Sequence, residues 1–352
     1  MGKLFLHATN THRGGGRALL NGLLQALPED GKSVLSLDER MAIPASMAHN
    51  VQIKRTKPTL LQRFITEKWL AQSVASEDIV LCFGNLPPLF KLRGRTLVFV
   101  QNRYLIDDVP LNGFPLKVRL RLSMERLWLS KRMKNVDEFI VQTPTMKRLL
   151  GKKTEGKIPV RIFPFMVKSS DYSRKVSIPV LPNNNNFDFI YVASGEPHKN
   201  HCRLLEAWCL LAEDGIFPSL LLTLSEVHSA TLCREIDVMR QRHGLNVTNA
   251  GELPHQDILS LYQKAGAIIY PSTFESFGLP LIEARQAGLP VLASELDYVR
   301  DVLNPEQTFD PESSKSIARA VKRFMGKEEQ VLPLRDVHDF IEHILNPGDR
   351  SY

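Results

Sequence analysis

The sequence predicts an α/β protein built as two doubly wound, Rossmann-like domains that face each other across a cleft. Three observations lead there. Short apolar runs such as Lys3–His7, Phe187–Val192 and Ala267–Tyr270 alternate with segments of helical periodicity, as in parallel sheets buried on both faces. The 352 residues exceed one ordinary domain, and a 43% apolar content suffices for two cores. The segment from Lys168 to Asn186, with Pro179, Pro182 and a run of asparagines, lacks periodicity and reads as a linker. The expected division is a first domain over residues 1–167, a linker over 168–186, a second domain over 187–330, and a C-terminal segment over 331–352. A helix from Val337 to Leu345 in that last segment is expected to pack back on the first domain.

Bulk properties narrow the chemistry. The net charge of +7 hides a division: residues 1–180 hold 30 Lys and Arg against 14 Asp and Glu, and residues 181–352 hold 15 against 24. A basic first half points to an anionic surface or acceptor. Cys82, Cys202, Cys209 and Cys233 include no Cys-x-x-Cys pair and read as small buried residues of a reduced compartment, neither a disulfide frame nor a zinc site. No apolar run reaches the length of a spanning helix, and the expected address is cytoplasmic.

In chain order, Lys3–His7 is the first strand, followed by Gly14-Gly15-Gly16 and a helix from Arg17 to Leu27. Strand, glycine loop and helix is a phosphate-approach geometry. With Asp38 as a ribose ligand the same stretch opens an alternative, an NAD-dependent oxidoreductase, although Leu19 stands where that fingerprint needs a small residue. Strands follow at Asp78–Phe83 and Thr96–Val100, the second leading into the loop Gln101-Asn102-Arg103-Tyr104. A long helix from Phe114 to Asn135 carries Lys117, Arg119, Arg121, Arg126 and further basic residues among leucines. It reads as a membrane-surface or lipid-acceptor element, or as a core-packed helix with a solvated face. A non-catalytic protein binding membrane or nucleic acid through this half is a further alternative. Few aromatics interleave the basic residues, so base stacking is not expected, and nucleic acid is not an expected partner. Glu138–Val141 and a helix opened by Thr143-Pro144 complete this half.

In the second half, Phe187–Val192 leads into Ala193-Ser194-Gly195-Glu196-Pro197-His198-Lys199-Asn200 and a helix through Leu204 and Trp208. Lys199 sits where a strand-to-helix turn can aim an ammonium into a cleft, or it is a surface lysine beside an N-capping Asn200. Leu220–Leu224 and Leu245–Thr248 are strands, and Gly251-Glu252-Leu253-Pro254-His255 turns into a helix from Asp257 to Ala265. Ala267–Tyr270 then runs into Pro271-Ser-Thr-Phe-Glu275-Ser276-Phe277-Gly278-Leu279-Pro280, with Glu283 expected in the first turn of the next helix. The amides of Ser276 to Leu279 suit a phosphate, and Glu275 and Glu283 on either side suit hydroxyl groups; alone, Glu283 can equally do no more than favour a helix N-terminus. Val291–Ser294 closes a βαβ unit, and a helix from Ser314 to Phe324 follows.

Glu275-x7-Glu283 within Phe-Gly-Leu-Pro resembles the signature of retaining glycosyltransferases of family 4, which have the GT-B fold. The resemblance covers most of residues 187–325 by motif and the first half only by architecture. It implies a nucleotide-diphosphate sugar as donor and no cofactor. Glu275 then contacts the donor sugar, Glu283 the ribose and Lys199 the diphosphate, with Gly14, Gly15 and Gly16 facing the donor phosphates and backbone near Glu252 and Leu253 beside the nucleobase. Many members carry Arg at the position of Ser194 and a His in the loop at Gln101, Asn102 and Arg103; neither is present, which leaves acceptor activation unassigned. No Asp-x-Asp occurs, so a metal-bridged diphosphate is not expected. A front-face transfer to a glycan or lipid-linked acceptor is implied, in cell-surface polysaccharide assembly at the inner membrane face.

Overall fold

The computed structural model describes residues 2–28, 31–44, 51–165 and 187–327. The expected linker over 168–186 and the C-terminal segment over 331–352 lie outside the described residues.

In the first lobe the elements are β1 (Leu4–Ala8), α1 (Gly14–Gln25), β2 (Ser33–Asp38), β3 (Gln52–Thr56), α2 (Leu60–Ser73), β4 (Ile79–Cys82) and β5 (Arg95–Phe99), then α3 (Leu116–Arg132), β6 (Glu138–Val141), α4 (Pro144–Lys153) and β7 (Val160–Ile162). They form a seven-stranded parallel sheet in the order β3-β2-β1-β4-β5-β6-β7. The second lobe contains β8 (Phe187–Tyr191), α5 (His201–Glu213), β9 (Leu220–Leu222), α6 (Ala230–His243), β10 (Val247–Asn249) and α7 (His255–Tyr262). It continues with β11 (Ala265–Tyr270), α8 (Leu279–Gln286), β12 (Val291–Ser294), α9 (Asp297–Arg300), β13 (Gln307–Phe309) and α10 (Ser314–Phe324). Its six parallel strands run β10-β9-β8-β11-β12-β13.

In each sheet the strand order reverses once, between β1 and β4 in the first lobe and between β8 and β11 in the second. Open α/β sheets bind ligands in the crevice beyond the carboxyl ends of the strands at such a point. Every residue of β11 is buried, as a central parallel strand requires. The second lobe packs one continuous core that includes Trp208, Tyr191 and Tyr270, and the first packs a cluster on each face of its sheet.

Several expected boundaries shift for local reasons. Arg13 is extended and Gly14 takes φ +61°, so α1 begins at Gly14 and the three glycines form its first turn rather than a preceding loop. The basic helix α3 ends at Arg132 and tightens into a 3-10 turn over Met133–Asn135. Ala265 belongs to β11, paired with Phe187, so α7 stops at Tyr262. Cys202 is exposed and Cys233 half-buried, against the expectation of four buried thiols; Cys82 and Cys209 are buried.

The elements β3, α2, β7 and α6 carry little apolar signal. β3 is a largely solvent-facing edge strand of sequence Gln-Ile-Lys-Arg-Thr. On α2 the fully buried positions are Thr66, Glu67 and Leu70, so polar groups hold the helix down where an apolar stripe would have announced it. His7 from β1 lies 2.6 Å from Ser36 Oγ and 3.1 Å from Glu67 Oε1, while Glu67 Oε2 accepts from the Leu89 amide at 2.9 Å. Burial raises the Glu67 carboxyl, but His7 and these hydrogen bonds bring it below its ordinary value. Among the described residues no helix is long and apolar enough to cross a membrane.

Candidate functional site

The second lobe's switch point is built by two turns stitched together. After β8, Pro197–Lys199 forms a 3-10 turn closed by Asn200 in the left-handed region, φ +61°. Asn200 Nδ2 donates to the carbonyls of Pro271 (3.1 Å) and Pro311 (2.8 Å), and the Thr273 amide donates to His198 O at 2.8 Å. Asn200 is therefore the fastener of the turn rather than a side-chain cap. This fixes Lys199 against the loop after β11, where Glu275 Oε1 accepts from Lys199 Nζ (2.5 Å), Ser272 Oγ (2.8 Å) and Tyr270 OH (3.0 Å). The paired side chains are only 14% and 13% exposed, so the charge is held in place and largely shielded.

Gly278 ends that loop with φ +70°, and a Cβ there would lie 3.1 Å from Leu281 Cδ1 and 3.4 Å from the Tyr298 ring. Leu279 then starts α8, with Pro280 in its first turn, and the first intrahelical bond runs from the Leu281 amide to Gly278 O at 2.9 Å. The amides of Ser276, Phe277, Gly278 and Leu279 precede it, at the positive end of the helix. Glu283 falls in the second turn rather than the first, because the helix begins at Leu279. It is buried, and its Oε1 lies 2.8 Å from His255 Nε2. The hydrogen bond that His255 donates to Glu283 raises the imidazole above its ordinary value.

The first lobe supplies the opposite wall. A cavity of about 600 Å³ is lined by Asn10 to Arg13, Gly16, Arg40, Asn85, Gln101 to Tyr104 and Arg121, together with His198 and Phe274 to Ser276 of the second lobe. The structure thus brings Gly16, Gln101, Asn102, Arg103, Glu275 and Ser276 to one space, with Lys199 reaching it through Glu275. Gly15 touches the α8 end, where a Cβ would lie 3.7 Å from Leu279 Cδ2. Gly14, Gly15, Ser194, Glu252, Leu253, Phe277, Gly278, Leu279 and Glu283 do not line the cavity; Ser194 bonds Glu196, and Glu252 is exposed.

The loop at Gln101 is shaped by Asn85, whose Oδ1 accepts from the Gln101 amide (2.6 Å) and the Asn102 amide (2.9 Å). Arg103 bridges the lobes: Nε donates to Asp107 at 2.8 Å, one NH group reaches Glu275 O at 3.4 Å, and the guanidinium lies 4.3 Å from the Phe274 ring centroid. Tyr104 packs on Phe274 (4.3 Å) and His198 (5.6 Å), and burial followed by Glu275 pushes its hydroxyl up to about 12. Asp38 is fully buried and gripped by Arg40 through Nε (2.9 Å), NH2 (2.7 Å) and the backbone amide (2.9 Å). It is not free to meet a ribose, which removes the sequence basis of the oxidoreductase reading. His12 Nδ1 is 3.8 Å from Asp38 Oδ2, and burial with Arg40 keeps this imidazole below its ordinary value.

Residues 174–337 match the family described as glycosyl transferases group 1. The matched stretch takes in the described residues of the second lobe. O-antigen chain mannosyltransferase B of Escherichia coli is 30% identical over 142 residues, 38% of this chain and 37% of the relative. The chain thus spans little more than a third of that protein. Across both lobes the fold is similar to that of Anabaena Alr3699/HepE in complex with UDP and glucose, with a TM-score of 0.62 and 16% identity over 92% of this chain and 90% of that one. It is also similar to an α,α-trehalose-phosphate synthase (UDP-forming) from Burkholderia vietnamiensis, with a TM-score of 0.68 and 14% identity over 95% and 92%. The two Rossmann-like lobes facing each other are the GT-B arrangement.

Within the second lobe Lys199 and Glu275 meet directly, whereas Glu283 pairs with His255 and does not line the cavity. Sequence reading passed over the partners: His255 against Glu283, Tyr270 and Ser272 on Glu275, and His198 as a cleft wall. A tyrosine at the end of a buried strand and a histidine beside Lys199 were the available signals. On the first lobe Asn85, Tyr104, Arg40 and His12 were not singled out for the cleft, since only tertiary folding joins the ends of β1, β2, β4 and β5.

Proposed function

We propose that this chain transfers a hexosyl group from a nucleotide-diphosphate sugar to an acceptor hydroxyl, with retention at the anomeric carbon, in the assembly of a cell-surface polysaccharide or glycolipid. The observation that carries it is the Lys199–Glu275 pair beside the α8 end, opposite the glycine turn of α1. Loss of a nucleoside diphosphate builds negative charge; an ammonium and helix-end amides already in position stabilise it without reorganisation. In this reading Lys199 and the amides of Ser276 to Leu279 receive the diphosphate, Glu275 accepts from donor-sugar hydroxyls, and Glu283 accepts from the ribose. No cofactor or metal is assigned a step. The diphosphate oxygen accepts the proton of the attacking hydroxyl, which suits a front-face displacement and a cleft in which His12 and His198 are held toward neutrality. The mannosyltransferase relative and the UDP-bound structural neighbour make GDP-mannose and UDP-glucose the first donors to assay. Donor-dependent release of nucleoside diphosphate that Glu275→Gln abolishes is the expected result; undiminished release by the variant would sink the assignment.

The proposed workplace is the cytoplasmic face of an anionic membrane, met by the first lobe. On α3, Leu122 and Leu129 are buried, whereas Leu116, Leu120, Met124 and Leu127 are 54–77% exposed at helical spacing. Exposed Lys117, Arg119 and Lys131 accompany them. On α2, Leu60 and Leu61 are 84% and 68% exposed, and Arg63 stacks 4.6 Å over Trp128 of α3. Exposed apolar side chains among cations suit anionic lipid better than open water. Co-sedimentation with phosphatidylglycerol vesicles but not with neutral ones is expected, and equal or absent binding would remove this part of the reading.

A further inference from the structure

We infer that the acceptor is a sugar unit carrying a phosphate or a carboxylate close to the reacting hydroxyl, and that Arg121 of α3 meets this anion on the first-lobe wall of the cleft. This rests on the glycosyl-transfer reading. The charged side chains lining the cavity are four arginines, Arg13, Arg40, Arg103 and Arg121, and a single carboxylate, Glu275. Glu275 is already answered by Lys199, so it does not neutralise the opposite wall. Two of the arginines are answered as well, Arg40 by Asp38 and Arg103 by Asp107. Arg13 and Arg121 have no ion-pair partner among the described residues. Glu125, one turn along α3, interacts with Arg121 electrostatically without forming an ion pair.

Like charges gathered without partners repel one another, so a cavity that retains them is completed by a ligand of opposite sign. The donor diphosphate meets Lys199 and the α8 end on the second lobe. Arg121 comes from a helix of the first lobe and stands on the other wall. Arg13 directly precedes the glycine turn that the donor reading assigns to phosphates, which makes Arg121 the discriminating residue. Side-chain amides from Asn10, Asn85, Gln101 and Asn102 share the cavity with the guanidinium groups; each is anchored to the first-lobe backbone through one end and, among the described residues, has its other hydrogen-bonding positions left for a ligand. Amides suit hydroxyls and guanidinium suits a planar carboxylate or a phosphate, so the pair of donor types describes an acidic or phosphorylated sugar.

The test is calorimetric titration of the whole chain, first saturated with UDP or GDP, using inorganic phosphate, glucuronate and neutral methyl glucoside as probes at low and high salt. Binding of phosphate or glucuronate, weakened by salt, absent for methyl glucoside and reduced about tenfold or more in Arg121→Gln, is expected. Recovery of part of the affinity in Arg121→Lys separates charge from packing. Phosphate alone marks a phosphorylated acceptor and glucuronate alone a uronic acid. Equal affinity of wild type and Arg121→Gln for both anions, or no anion binding to the saturated wild type, overturns the inference. If neither UDP nor GDP binds, the donor reading fails by itself, and the same comparison on the unliganded chain decides the anion subsite.

Discussion

The two topological switch points are the same device made in opposite ways. At β8 and β11 the two motif carboxylates have partners: Lys199 with Glu275, Glu283 with His255, and the turns are tied by Asn200 and Thr273. At β1 and β4 the wall is lined by arginines and amides, two of the arginines without an ion-pair partner among the described residues, and the same lobe carries a helix with leucines turned outward. A wall with its dipoles prearranged suits a ligand of fixed chemistry, as a nucleotide diphosphate is. A wall that presents cations with no ion-pair partner among the described residues is completed by a partner that differs from protein to protein, as acceptors do.

The contrast can be broken in order of size. Lys199→Ala should lower donor turnover about 10²- to 10³-fold, the usual loss when one group that stabilises a developing anion is removed, with a far smaller change in stability. Steady-state release of nucleoside diphosphate checks it. On the other lobe Leu120→Asp with Leu127→Asp should lower affinity for anionic vesicles well over tenfold, since each leucine forfeits about 1.5–3 kcal/mol of burial, while turnover of soluble donor is kept. A vesicle-binding isotherm alongside the turnover assay separates the lobes.

Gly278→Ala should destabilise the second lobe by about 1–2 kcal/mol, because φ +70° strains any Cβ and Leu281 and Tyr298 crowd it; urea denaturation measures the difference. The smallest effect belongs to His255. Its imidazole is raised from the ordinary 6.5 in the folded chain, so the pair with Glu283 stabilises fully below that value and the contribution disappears as pH rises through the folded value. The melting-temperature advantage of wild type over His255→Ala should therefore shrink from acid to mildly alkaline pH. Its size stays below about 1 kcal/mol, because His255 is half exposed and the pair is screened. Nucleoside diphosphate affinity should rise over the same window in wild type, as Glu283 is released to the ribose, and stay flat in the variant.

Legibility followed burial and spacing. β6, β12 and α10 coincide with their sequence limits, and the turn from Tyr270 to Glu283 could be read because a buried strand, a left-handed glycine and a first-turn proline stand in one continuous stretch. α2 escaped because Thr66 and Glu67 replace an apolar stripe, and α6 because Ile236 is its one fully buried residue. The cleft's first-lobe wall escaped for a different reason: Asn85 shapes the Gln101 loop across a gap of 16 residues, and Arg103 reaches Glu275 across 172. Such contacts have no local signature. The basic leucine-rich helix was visible, but only the buried Leu122 and Leu129 identify its core face and leave the other leucines outward.

The central claim is that the cleft holds a nucleotide-diphosphate sugar on Lys199, Glu275 and the α8 end. It is tested most directly by thermal unfolding in the presence of a panel of nucleotide sugars, for wild type and Lys199→Ala. A bound donor at 100 times its dissociation constant adds about 2.7 kcal/mol, so at least one member should raise the wild-type melting temperature by several degrees and leave the variant nearly unmoved. A panel that shifts neither protein, or shifts both alike, would contradict the account.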